Sequence, residues 1–222
     1  MEQFTTEDGG LLMTKEQALE KKLEQVRWQF PNHIVFKRNE KIFHFDPNNF
    51  DRKKIFSQTG LKVSGEKYAN VALYDPEYFA IDSIHLVYKG LVTKRIPQPI
   101  NLKRYDWLFN RCRCETVDLS DWDFSEVISM CFMFNGSGVK AIILGDADFS
   151  KCENLSGWFY CCDNLQELIL GNYRVAEGVD VMYMFWCCSK LCKKYVKGSK
   201  KELANIFKSG QWNTLHERME IF

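Results

Sequence analysis

Apolar residues are spaced differently in the two halves of the chain. Leu19, Leu23, Val26 and Phe30 recur every three to four residues, which predicts one amphipathic helix. Thr14, with Gln17 three residues on, forms a capping box that starts it, and Pro31 stops it. HIVFKR and KIFHF, separated by Asn39-Glu40, predict a β-hairpin. Residues 46–70 are polar and irregular, with room for one short helix. YANVALYD and SIHLVYKGLVTKRI are strand-like, and Pro97 and Pro99 break the pattern. Residues 1–13 read as a leader and residues 14–104 as a small α+β domain.

From residue 105 the spacing becomes a repeat. DLSDWDFSEVISMCFMF aligns with ILGDADFSKCENLSGWF at an offset of 25. Asp121 matches Asp146, Asp123 matches Asp148, and Phe124 matches Phe149. Phe109, Phe134, Phe159 and Phe185 mark successive copies, the last step being 26. In each copy a short period-two strand follows, with inward residues Cys114, Val117 and Leu119, then Val139, Ile142 and Leu144, then Leu165, Leu168 and Leu170. A fourth set would be Leu191, Lys194 and Val196, where the lysine breaks the pattern. One copy cannot close a core, so copies must stack on each other. The expected class is α+β: the N-terminal domain, then a short leucine-rich-repeat solenoid of parallel stacked strands over 105–198, then a helical cap over 199–222.

The residues Val117-Asp118-Leu119-Ser120-Asp121-Trp122-Asp123-Phe124-Ser125, followed by Val127, Met130, Met133 and Phe134, resemble the BspA-type leucine-rich repeats, also seen in mycoplasma-type surface lipoproteins. The ending is similar to that family's too: Val196-Lys197-Gly198-Ser199-Lys200, a helix-like KELANIF, then Trp212. The resemblance covers residues 105–222 and implies an interaction role.

Charge is divided along the chain. The net +1 of the 222 residues is the balance of +3 over 1–110, −6 over 111–190 and +4 over 191–222. The chain is therefore no polycation, and direct nucleic-acid binding is not expected. The longest apolar run, Val181–Cys188, is too short to span a bilayer. The first ten residues, MEQFTTEDGG, carry no hydrophobic signal core, so a cytoplasmic protein is expected. All nine cysteines lie between Cys112 and Cys192, and an odd count argues for reduced thiols.

Cys112, Cys162 and Cys188 share one repeat column, with Ser137 in the second copy. A ladder of small buried residues is the favoured reading, and zinc the other, because the spacing is not that of a zinc site. Gly60 to Lys67 has the glycine spacing of a phosphate loop, but Glu66 stands where the phosphate-binding lysine belongs. The aspartate columns read as local turns and caps, with calcium or recognition as alternatives. None of the four histidines sits in a metal or catalytic motif. No catalytic residue, cofactor or metal is expected.

The expected function is that of a non-enzymatic binding module for a protein partner. Its outward columns are Glu115, Lys140 and Gln166; Thr116, Ala141 and Glu167; and Asp118, Ile143 and Ile169. The partner-binding residues expected are Asp118, Ile143, Ile169, Glu167, Asp121, Asp146, Trp122 and Trp158. The alternative is an inhibitor or immunity-type protein whose acidic repeats block a nucleic-acid-processing enzyme.

Overall fold

The structure, a computed structural model, describes residues 14–64, 71–82, 85–91, 95–171, 174–191 and 196–198. Its elements are α1 (Lys15–Gln29), β1 (Ile34–Arg38), β2 (Lys41–Phe45), α2 (Arg52–Thr59), β3 (Lys62–Ser64), β4 (Ala72–Tyr74), β5 (Phe79–Asp82) and β6 (His85–Tyr88), then β7 (Thr116–Asp118), β8 (Ala141–Ile143), β9 (Asp148–Phe149), β10 (Glu167–Gly171), β11 (Arg174–Val175) and β12 (Val196–Gly198). The chain divides into two compact units, Met1–Val63 and Ser64–Phe222.

In the first unit the capping box forms as expected. Gln17 N–H donates to Thr14 Oγ1 (3.1 Å), and Thr14 N–H donates to Gln17 Oε1 (2.9 Å). The hairpin β1–β2 also forms, turned by left-handed Asn39 and Glu40 (φ 49° and 59°). Left-handed φ at both turn residues matches the right-handed twist of the strands. The short helix expected in 46–70 is α2. Asp51 Oδ1 accepts from Lys53 N–H and Lys54 N–H at its start, and left-handed Gly60 ends it. Among the described residues of this unit, Leu23, Ile34, Phe36, Ile55, Leu61 and Val63 are the buried apolar ones.

In the second unit the sequence offset becomes a hydrogen-bond register. Strands β7, β8, β10 and β12 form one parallel sheet in the order β12-β10-β8-β7. Val117 pairs with Ile142 and Ile142 with Leu168, and all three are fully buried. The turns are joined in the same sense. Phe109 N–H donates to Met133 O (2.7 Å), Phe134 N–H to Trp158 O (2.9 Å) and Phe159 N–H to Met184 O (2.8 Å). Because each copy places the same residue at the same point, the marker rings meet. Phe109 and Phe134 stack at 5.0 Å, Phe134 and Phe159 at 5.6 Å, and Phe159 and Phe185 at 5.1 Å. The last step departs from the expected register: Leu168 pairs with Val196, an offset of 28, so Val196 does not face Leu170.

The expected class does not hold. The described residues form two helices and many short strands in small sheets, not an α+β domain followed by a leucine-rich-repeat solenoid. The parallel sheet is four strands of three to five residues. Beyond it, the copies are linked by β9–β11 and by single bridges such as Ser129 to Asn154. The physical reason is local. Each copy keeps only about one strand's minimum of extended backbone before a turn residue takes over: Ser120 N–H folds back onto Asp118 Oδ1 in the first copy, and left-handed Gly145 follows β8 in the second. The helical cap expected over 199–222 lies outside the described residues.

The described residues between 71 and 104 pack with the repeats, not apart from them. Tyr74, Phe79, Leu86, Tyr88 and Ile96 share one buried cluster with Phe109, Val117 and the later copies. Gln98 shows how. Its side-chain amide accepts from Asp123 N–H (2.8 Å) and donates to Asp123 O (2.6 Å). Gln98 lies 25 residues before Asp123, one repeat step earlier in the chain. Tyr88 N–H donates to Leu108 O (2.7 Å), and the Trp122 indole N–H to Ile96 O (2.8 Å). Among the described residues no helix is long and apolar enough to cross a membrane.

Candidate functional site

The outer face of the parallel sheet carries the expected columns. Thr116 pairs with Ala141 and Ala141 with Glu167; Asp118 pairs with Ile143 and Ile143 with Ile169. Alternation puts these on the side opposite the buried Val117, Ile142 and Leu168. Ile143 and Ile169 are each half-buried, side by side. Asp118 is engaged locally: its Oδ1 accepts from Ser120 N–H (3.0 Å) and Ser120 Oγ–H (2.7 Å).

Asp121 and Asp146 are exposed one above the other in the turn after the strand. Asp121 is held by Arg95 at 2.6 Å, and the guanidinium keeps its carboxyl below the usual range. Trp122 and Trp158 are corrections. They are 6% and 1% exposed, and therefore core residues rather than surface anchors. Both rings lie among the stacked phenylalanines: Trp122 is 6.0 Å from Phe109, and Trp158 is 4.5 Å from Phe159.

The acidic character of the repeats is offset copy by copy. Lys140 pairs with Glu115 and Lys151 with Glu126, each across one 25-residue step. Two of the carboxylates thus meet a lysine from the next copy.

The second aspartate column makes the local turns expected of it. Ser125 N–H donates to Asp123 Oδ1 and Ser150 N–H to Asp148 Oδ1, each at 2.9 Å. The cysteine column packs as a ladder. Cys112, Ser137, Cys162 and Cys188 are all buried. Cys162 Sγ donates to Phe134 O (3.0 Å) and Cys188 Sγ to Phe159 O (2.9 Å). Burial pushes the Cys112 thiol up to about 12. Among the described residues no three His, Cys, Asp or Glu side chains gather as a metal site. In the phosphate-loop-like segment, residues 65–67 lie outside the described residues.

A second edge is not evident from the apolar spacing of the sequence. Trp107, Phe132, Gly157 and Tyr183 occupy one column, and all four are left-handed (φ 64°, 52°, 58° and 55°). So do Arg111, Gly136, Cys161 and Cys187 (φ 54°, 60°, 55° and 61°). The glycines in each column are the signal that could have found them, since glycine marks left-handed backbone.

Residues 103–215 match the family described as Mycoplasma protein of unknown function, DUF285. The chain belongs to this family. No curated protein and no solved structure matches it. The DUF285 segment opens at Lys103, yet its buried cluster already includes Tyr74, Phe79 and Ile96. In this DUF285 protein the first repeat copy is therefore completed by residues that precede the family segment.

Proposed function

We propose that this DUF285 protein is a non-enzymatic binding module that offers the outer face of its parallel sheet to a protein partner. The observation that carries the reading is the pair Ile143 and Ile169, adjacent and half-buried on that face, between Asp118 and the neighbouring column of Thr116, Ala141 and Glu167. Apolar side chains rimmed by polar ones suit a protein interface. The β7–β8–β10 backbone holds the columns at the sheet spacing, so a partner would meet a preset surface.

We also propose kinship with the BspA-type repeats, supported by the match over Val117–Ser125. Val127, Met130, Met133 and Phe134, which continue that match, are all buried. The cytoplasm is the compartment we infer. What supports it is that Cys162 and Cys188 are free thiols whose S–H groups donate to backbone carbonyls.

The test is the double variant Ile143→Asp with Ile169→Asp. The wild type and the variant, tagged alike, are used to capture partners from native lysate with nuclease present. The expected result is loss of a partner protein at an unchanged melting temperature. Equal capture by both proteins overturns the reading, and a melting temperature lowered by many degrees makes the two isoleucines core residues.

A further inference from the structure

The edge that carries Trp107, Phe132, Gly157 and Tyr183 changes character part-way along. Its first part is closed. Trp107 stacks on Phe132 at 4.8 Å and 19°, and Phe132 meets Tyr160 edge-on at 5.6 Å. Phe132 also covers Gly157, where a Cβ would lie 2.3 Å from its ring. Gly157 therefore has no side chain to lay on Tyr183, the next residue of the column.

Beyond Gly157 the edge opens. Met182 and Tyr183 are 44% exposed and Trp186 is 41% exposed. The Tyr183 and Trp186 rings stand at 86° with centroids 5.7 Å apart, two walls at a right angle. Large side chains exposed together are unusual on a surface that otherwise buries its aromatics, and Trp and Tyr dominate interface energetics.

The surroundings select charge. Cys161 N–H donates to Trp186 O (2.7 Å), Cys187 follows Trp186 in the chain, Asp163 lies two residues after Cys161, and Asp180 Oδ1 accepts from Met182 N–H (2.9 Å). The Cys161 thiol is pushed up by burial first, then by Cys187 and Asp163; the Tyr160 phenol is pushed up by burial, then by Cys161, Cys187 and Tyr183. Every one of these groups is neutral or negative. The nearest described lysine in the chain, Lys190, donates to Asn164 Oδ1 at 2.7 Å.

We propose that Tyr183 and Trp186, flanked by Met182 and Tyr160, form a docking site for an arginine side chain of a protein partner. A guanidinium is planar and weakly hydrated, so it lies flat on an aromatic wall while its N–H groups reach a phenol or carboxylate. An ammonium has no such face. The site is on a different edge from Ile143 and Ile169, so it stands or falls separately from the sheet-face reading.

The experiment uses the full chain and a fluorescein-labelled Gly-Arg-Gly-Arg-Gly peptide, read by anisotropy. A second peptide replaces each arginine by citrulline, which keeps the shape and removes the charge. The expected result is saturable binding of the arginine peptide alone, weakened about tenfold by Tyr183→Ala with Trp186→Ala. Trp28→Ala, which alters an exposed tryptophan of the first unit, should leave binding unchanged. Equal binding of the citrulline peptide overturns the proposal, as does no saturable binding or no effect of the double variant. Should the double variant melt early, the wild-type indole NMR spectrum decides. The arginine peptide must shift the Trp186 signal, assigned with Trp186→Phe, and a shift confined to Trp28 overturns the site.

Discussion

Phe109 and Phe134 stack 5.0 Å apart at 8°, although 25 residues separate them in the chain. Phe134 also stacks on Phe159, so it has a ring on either side. Phe134→Ala removes both contacts and leaves a cavity in the middle of the buried cluster. A loss of about 3–5 kcal/mol is expected from the denaturation midpoint. A loss below about 1 kcal/mol would mean that the ladder is not a structural spine.

Gly157 and Phe132 make a second such pair. Gly157→Ala brings a Cβ onto the Phe132 ring and puts it on left-handed backbone (φ 58°). Destabilisation of about 2 kcal/mol is expected, in the range of overpacking. In a Phe132→Ala background the clash is gone and only the backbone strain remains, so the cost of Gly157→Ala should fall clearly. A double-mutant cycle reads the difference as coupling, and additive costs would deny the contact.

Gln98 makes two hydrogen bonds to the Asp123 backbone. Gln98→Ala should cost about 1–2 kcal/mol and strip hydrogen-exchange protection from the Asp123 amide. Gln98→Glu should cost more, because a carboxylate oxygen then faces Asp123 O. Unchanged protection at Asp123 in both variants would show that Gln98 is not the end cap of the stack.

Stability should fall in alkaline solution through the buried thiols. Burial raises Cys112 to about 12 and Cys152 to about 11. Both lie above the value of a free thiol, so the unfolded chain loses these protons first. Their contribution is complete below about pH 8 and declines as pH rises from there towards the folded values. Urea midpoints measured between pH 7 and 10.5 should slope downward. The slope should be shallower in Cys112→Ala with Cys152→Ala, and an equal slope would place the effect elsewhere.

Much of this protein is determined by its sequence alone. The capping box at Thr14, the hairpin through Asn39-Glu40 and the stop at Pro31 are legible because each depends on residues close in the chain. The repeat is legible because period two settles that Val117, Ile142 and Leu168 face inward and that Ile143 and Ile169 share a column of the candidate site. Only the tertiary structure decided the rest. Trp122 and Trp158 carry the same composition signal whether they are anchors or core, and their packing against Phe109 and Phe159 settles it. Residues 71–104 show no repeat pattern, yet Gln98 and Ile96 complete the first copy, because the first copy has backbone and indole groups that need partners. The exposed pair Tyr183 and Trp186 is visible only where adjacent copies touch. Periodicity says which way a residue points; what lies against it depends on the neighbouring copy.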